Sequence, residues 1–193
     1  MVTLQKGRRR QTQGTVGDSL RGIVQAEPKA APSLSRLAIL GTGESDMREI
    51  ESAAPRIGFT TVRAPARFYQ DVPSALVAAL RDGANDMIVL ATAVNDPNRK
   101  AIVDFTLKHR LPAVGGDRMF AEWGGLMSYW TDWKEVRRRT ADYVDKILRG
   151  ANPRDLPVER PTKFELVLNL RTAIEIGLAI PQSLRLRADE LIA

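Results

Sequence analysis

The sequence contains no cysteine and only one histidine in 193 residues. The first absence removes disulfides, thiolate nucleophiles and zinc-thiolate sites together. The second makes a multi-histidine metal site unbuildable, and a Ser-His-Asp arrangement would have to use His109. That residue lies in Lys108-His109-Arg110, at the charged end of an expected helix, where a cation near the last carbonyls is ordinary. No run of about 18 apolar residues occurs, so nothing reads as a membrane span. An export signal needs an apolar core directly after its basic residues. Here Arg8-Arg9-Arg10 is followed by Gln11-Thr12-Gln13-Gly14, so the chain as written shows none. Aromatic residues are also sparse, at 6%, although 44% hydrophobic content is enough for the core of one ordinary domain.

The net charge of +6 is unevenly placed. Residues 1 to 36 hold seven basic side chains against Asp18 and Glu27, leaving only +1 for the rest of the chain. A nucleic-acid-binding domain carries its basic excess on its folded surface. This chain does not, and no nucleic-acid partner is expected. Residues 1–34 read as a basic, irregular or disordered segment, with room for a short helix within Ile23 to Ala31.

From there the chain alternates. Arg36 to Gly41 is a short apolar run ending in glycine, the mark of a buried parallel strand. Gly41-Thr42-Gly43-Glu44-Ser45-Asp46 invites a dinucleotide-loop reading, but it lacks the third glycine, and Glu44 and Asp46 would face any phosphate. Asp46 with Glu49 reads better as a capping box opening a helix that Pro55 kinks or stops. Further strands are expected at Phe59 to Arg63, Asp86 to Ala91, and Leu111 to Gly115. Helices fall between them, one opened by Asp71 and another capped by Asp96-Pro97. Gly124-Gly125-Leu126-Met127-Ser128-Tyr129 is too glycine-rich for helix and too apolar for a free loop. It reads as a sharp turn into a fifth strand. A helix over Thr131 to Gly150 follows, with a second capping box at Asp132 and Glu135. Its expected buried face is Trp133, Val136, Tyr143, Val144, Ile147 and Leu148. Phe164 to Leu170 alternates as a half-buried strand, and helical pieces at Arg171 to Ile176 and Pro181 to Ile192 finish the chain. The alternation predicts an α/β fold, a doubly wound parallel sheet whose ligand crevice lies at the carboxyl ends of the strands.

Lys108 to Tyr129, with the runs HRLPA and RMFAEWGGLMSY, and the tail from Ala141 to Ile192 resemble the ABC transporter substrate-binding proteins of the tryptophan/tyrosine-like group. The resemblance covers about Ser35 to Ile192. It implies a single lobe of a periplasmic-binding-protein-like type I fold, spanning residues 35–155. Residues 156–193 would be a strand and helices that cross toward a first lobe. It further implies a small amino-acid-like or organic solute, a membrane permease as partner, an extracytoplasmic location and no catalytic residues, cofactor or metal. Thr92, Asp117, Gly125, Ser128 and Tyr129 are the ligand-binding positions it implies on the wall of the cleft.

The departures from the family are equally specific. The first lobe is missing, which suggests truncation or a wrong start; taken at face value, the start would make the chain cytoplasmic. Trp130 replaces the usual glycine after Tyr129, where it could fill the cleft mouth. An alternative reading is a non-binding remnant, a homodimer whose self-association covers the exposed lobe interface and the otherwise orphan strand Phe164 to Leu170.

Overall fold

The computed structural model describes residues 36–159 and 163–193; the expected segment 1–34, including the short helix, lies outside them. The apolar runs become strands and the amphipathic runs become helices, in the order β1 (Arg36–Gly41), α1 (Glu44–Ala53), β2 (Thr60–Pro65), α2 (Val72–Arg81), β3 (Asp86–Val89), α3 (Arg99–Lys108), β4 (Ala113–Gly115). There follow α4 (Arg118–Glu122), β5 (Met127–Thr131), α5 (Trp133–Leu148), β6 (Phe164–Asn169), α6 (Leu170–Ile176), α7 (Gln182–Arg185) and β7 (Glu190–Ile192). Among the described residues these strands form a seven-stranded sheet of order β2-β1-β3-β4-β5-β6-β7. All neighbouring pairs run parallel except β5 with β6. The expected doubly wound sheet is therefore present.

Helices cover both faces of this sheet because alternate residues of its buried strands feed two cores. Leu37 and Ile39 point to one side, where Met47 and Ile50 of α1 and Ala173 and Ile176 of α6 join them. Ala38 and Leu40 point to the other, with Val72 and Leu76 of α2, Ile102 and Val103 of α3, and Phe120 of α4.

Besides α3, which opens at Arg99 with Asn98 as its N-cap and not at Asp96-Pro97, four expectations change. Helix α1 begins at Glu44 with Gly43 as its N-cap and no side-chain cap, so the Asp46–Glu49 capping box does not form. The Gly43 carbonyl accepts from the Met47 amide, and Glu44 and Asp46 then lie in the first turn, where the helix dipole favours negative charge. The strand Phe164 to Leu170 is not an orphan: β6 pairs antiparallel with β5 and buries Leu166, Val167 and Leu168. The last helical piece stops at Arg185, and Glu190 to Ile192 pair as a strand with β6. This end is held by a two-way exchange in which Leu166 N–H donates to Asp189 Oδ2 and Asp189 N–H to the Leu166 carbonyl.

The fourth change concerns α5. None of its residues is buried, and Trp133, Val144, Ile147 and Leu148 are exposed. Both sheet faces are already covered by other helices, so the amphipathic stripe finds no surface to bury against. What holds α5 is polar. Asp132 caps it by accepting from Lys134 N–H and Glu135 N–H and pairs with Lys163 at 3.0 Å. Tyr143 O–H donates to the Pro157 carbonyl, and Arg139 pairs with Glu159. Glu135 pairs with Arg138 and Arg139 instead of closing a capping box.

The tail also secures the glycine turn. Asn169, 5% exposed, donates from Nδ2 to the Ala121 carbonyl at 2.9 Å and accepts from Thr172 N–H at 3.1 Å. Thr172 Oγ1 donates to the Gly124 carbonyl at 2.8 Å. Asn169→Ala strands the Thr172 N–H and leaves the Ala121 carbonyl with only its bond from Gly124 N–H. It is expected to lower stability by about 2–3 kcal/mol, read as a lower denaturant midpoint at unchanged slope.

Candidate functional site

The strand order reverses between β1 and β3: β1 leads on one side to β2, and β3 leads on the other to β4 and β5. Loops leaving neighbouring carboxyl ends diverge there and open a crevice. Asn95, 2% exposed, sits at that point. Its Nδ2 donates to the Leu40 carbonyl at 3.0 Å and the Leu90 carbonyl at 2.9 Å, tying the ends of β1 and β3 together. Thr92 shapes the turn that delivers it, with Oγ1 accepting from Asn95 N–H at 3.1 Å and the carbonyl accepting from Asp96 N–H at 2.9 Å.

Beside Asn95 lies a charged cluster. Arg99, with a side chain only 11% exposed, donates from Nη2 to Asp117 Oδ2 at 2.8 Å and lies 3.4 Å from Asp96 Oδ1. Its guanidinium also lies 5.7 Å from the centroid of the Trp123 ring. Asp117 caps α4 through Oδ1, which accepts from Phe120 N–H at 3.0 Å. Asn95, Asp96, Arg99, Gly116 and Asp117 border a space of about 10 Å³, room for one water-sized group, that opens to the crevice. No grouping of three or more metal-ligating side chains occurs among the described residues, and none of their helices is long and apolar enough to cross a membrane.

Of the expected site residues, Asp117 borders this space, and Thr92 lies in the turn that delivers Asn95 to it. The other three lie along β5 and the turn before it. Gly125 donates its N–H to the Phe120 carbonyl at 2.8 Å, and a Cβ there would fall 2.2 Å from the Phe120 ring. Gly115 faces the same ring equally closely, so the two glycines make a notch for Phe120. Ser128 is buried between Gly115 of β4 and Val167 of β6. Tyr129 is half-buried and stacks on Phe164 at 5.6 Å between centroids and 11° between planes. Trp130 stands beside Gly116, its ring 3.6 Å from where a Cβ on that residue would be. His109 ends α3, its ring 4.4 Å from Phe105.

Sequence reasoning passed over Asn95 and Arg99. A signal was present: Arg99 and Lys100 open α3, where positive charge opposes the helix dipole, so a basic first turn needs another partner. Lys100 finds Asp104, and Arg99 turns to the crevice acids.

Burial raises the Asp96 pKa; Arg99 opposes the rise and the Asp117 carboxylate adds to it. A carboxyl that holds its proton more tightly when folded disfavours folding once ionised, so this contribution to stability improves as pH falls through the raised value. Carboxyl-carbon NMR titration is expected to place Asp96 above the ordinary aspartate value of about 3.9. Arg99→Met should move it higher still.

Comparison with known proteins gives this geometry a context. No curated protein matches the chain at a significant level. Solved structures that share its fold include three that follow. A conserved domain protein from Vibrio cholerae O1 biovar El Tor superposes with a TM-score of 0.80 at 22% identity, over 92% of this chain and 60% of its own. The ABC domain from Streptococcus pneumoniae, in complex with L-Trp, gives 0.80 at 19% identity, over 93% and 60%. A ligand-free, open substrate binding protein with adhesive properties from Clostridium difficile gives 0.66 at 15% identity, again over 93% and 60%. The chain thus spans 60% of the length of these structures. A family model for ABC transporter substrate binding proteins matches residues 32–192, nearly the whole described fold, and the chain belongs to that family.

Proposed function

We propose that this chain is one lobe of a two-lobed receptor that binds a small amino-acid-like or organic solute and delivers it to a membrane permease of an ABC import system, outside the cytoplasmic membrane. The observation that carries this reading is the polar cluster of Thr92, Asn95, Asp96, Arg99 and Asp117 at the strand-order reversal, where open α/β sheets take their ligands. On this reading Thr92 and Asp117 contact the solute. Gly125, Ser128 and Tyr129 form the wall behind them, and Trp130 narrows the mouth. The L-Trp held by the pneumococcal neighbour makes aromatic amino acids the first solutes to try. The role is binding, with no bond made or broken.

Isothermal titration of the chain against a panel of amino acids and small organic acids is expected to give saturable heat with at least one member. Arg99→Met should weaken that binding by about tenfold or more, through loss of a charged group from the site. No heat with any solute would reject the reading.

One observation favours self-association as a second reading. The stripe of Trp133, Val144, Ile147 and Leu148 on α5 is exposed, and contiguous apolar patches of this kind mark contact surfaces. A homodimer that buries this stripe should appear in sedimentation velocity as a concentration-dependent species, and Val144→Glu with Ile147→Glu should abolish it. A strict monomer for the unaltered chain would reject the dimer.

A further inference from the structure

Large apolar side chains gather, unburied, around the crevice at the carboxyl ends of the strands. Phe68 and Tyr69 stand in the loop after β2, Met119 and Trp123 on and just after α4, Trp130 in the last turn of β5, and Trp133 at the start of α5. Each is between 40% and 67% exposed, and they include all three tryptophans of the chain. Single apolar side chains at a surface need no explanation, whereas a gathered set rich in Trp and Tyr marks a contact surface. The set is also held in place. Asp71 Oδ2 accepts from the N–H groups of Arg67 and Phe68, and Asn98 Nδ2 donates to the Tyr69 carbonyl at 3.0 Å. Trp130 lies against Gly116, and Trp123 lies beside the Arg99 guanidinium. Groups already ordered before contact lose little freedom on binding.

The crevice divides this rim in a way that suits a two-fold partner. Strand order puts β2, with Phe68 and Tyr69, on one side of the opening between β1 and β3, and β4 and β5, with the tryptophans, on the other. A second copy turned by 180° over the crevice sets the first group against the second, twice over, which is the self-complementarity that a symmetric homodimer requires. The charges agree with this. Asp96 and Asp117 share one cation, Arg99, which leaves the crevice one negative charge in excess. Arg67, exposed beside Phe68, makes no ion pair among the described residues, and the same rotation carries it toward the crevice of the other copy. The area is also sufficient. At about 200 Å² for a whole aromatic side chain, the five half-exposed rings offer roughly 500 Å² per copy. The stripe that α5 continues from Trp133 through Val144, Ile147 and Leu148 brings this toward the ~800 Å² per partner of a standard interface.

We propose that two copies of this chain pair crevice to crevice, each covering the opening of the other with its aromatic rim and its α5. The space that a solute enters is then walled on its open side by the second copy. This rests on the solute-binding and self-association readings above. It moves the contact from α5 alone to the whole face that surrounds the site.

Because every tryptophan lies on the proposed face, intrinsic fluorescence of the full chain reads its burial directly. Quenching by acrylamide is expected to weaken as protein concentration rises through the monomer–dimer midpoint found by sedimentation. Quenching that stays constant across that midpoint would put the contact elsewhere; it would overturn the proposal and leave self-association standing. Substitution on the far side of the crevice from α5 gives an independent check. Phe68→Asp with Tyr69→Asp alters two exposed loop side chains, so the thermal midpoint of the monomer should hold while the dimer dissociation constant rises at least about tenfold, as hot-spot aromatics imply. Arg67→Glu should weaken the dimer several-fold, and the loss should shrink as salt is raised. A dimer that survives the Phe68 and Tyr69 changes yet is lost with Val144→Glu and Ile147→Glu is paired along α5 alone, which would also overturn the proposal. A strict monomer at every concentration would remove this pairing and self-association together, without touching the solute-binding reading.

Discussion

The ring of Phe120 fills a notch that Gly115 and Gly125 leave open, and much of the crevice hangs from that contact. Its amide donates to the Asp117 side chain, and its carbonyl accepts from Gly125 N–H. Through the first bond it holds the cap of α4, and hence the carboxylate that receives Arg99. Through the second it fixes the turn into β5. The ring is 2% exposed and packs with Ile102 and Val103 of α3, so one side chain joins three elements around the site. A Cβ at either glycine would overlap it, and a well-packed core has no slack to absorb such an overlap. The double glycine before β5 is thus explained by close approach of a ring, and the conformation of Gly124, with φ at +104°, supplies the turn itself.

A second constraint acts across the sheet. Where β1 and β3 part, Asn95 supplies a donor to the Leu90 carbonyl and a second donor to the Leu40 carbonyl, which also accepts from Leu90 N–H. Unpaired buried backbone acceptors would be expensive there. The residue that satisfies them also brings Asp96 and Arg99 to the crevice, so local structural need and site chemistry share one loop. The far side of the sheet works similarly. Arg118 links α4 to β6 and β7 through Glu165 and Glu190, and these three carboxylate contacts, with Glu122 included, raise its already high pKa. Asn169 and Thr172 meanwhile hold the carbonyls of the glycine turn. The tail is therefore part of the lobe's own sheet and supports its site from behind.

Apolar periodicity told which segments would be strands and which helices, because a strand buried on both faces must be apolar throughout and a covering helix must carry a stripe. The proline after Ala54 stopped α1 as expected, with a 3-10 turn over Ala54–Ile57 and Gly58 at φ +86°. Periodicity misled at α5, since it reports a side chain's character and not whether a partner surface is free. Trp133, Val144 and Leu148 look like a buried face in sequence and are exposed in the fold. The end of the chain misled for a related reason: Glu190-Leu191-Ile192 has no strong strand signal of its own and becomes a strand because β6 offers an open edge.

From sequence alone came the strand-helix alternation, the doubly wound sheet and the positions of Thr92 and Asp117 near strand ends, since each depends on patterns within a few residues. The tertiary structure decided which polar side chains converge. Asn95 reaches the Leu40 carbonyl 55 positions away, Arg99 reaches Asp117 across 18, and Asn169 reaches the Ala121 carbonyl across 48. No local pattern encodes such meetings, because they depend on strand order and on which loops the sheet's reversal brings side by side. The glycines of the turn into β5 were legible as a place of close approach. That the approaching group is the ring of Phe120 became clear only once the chain was folded.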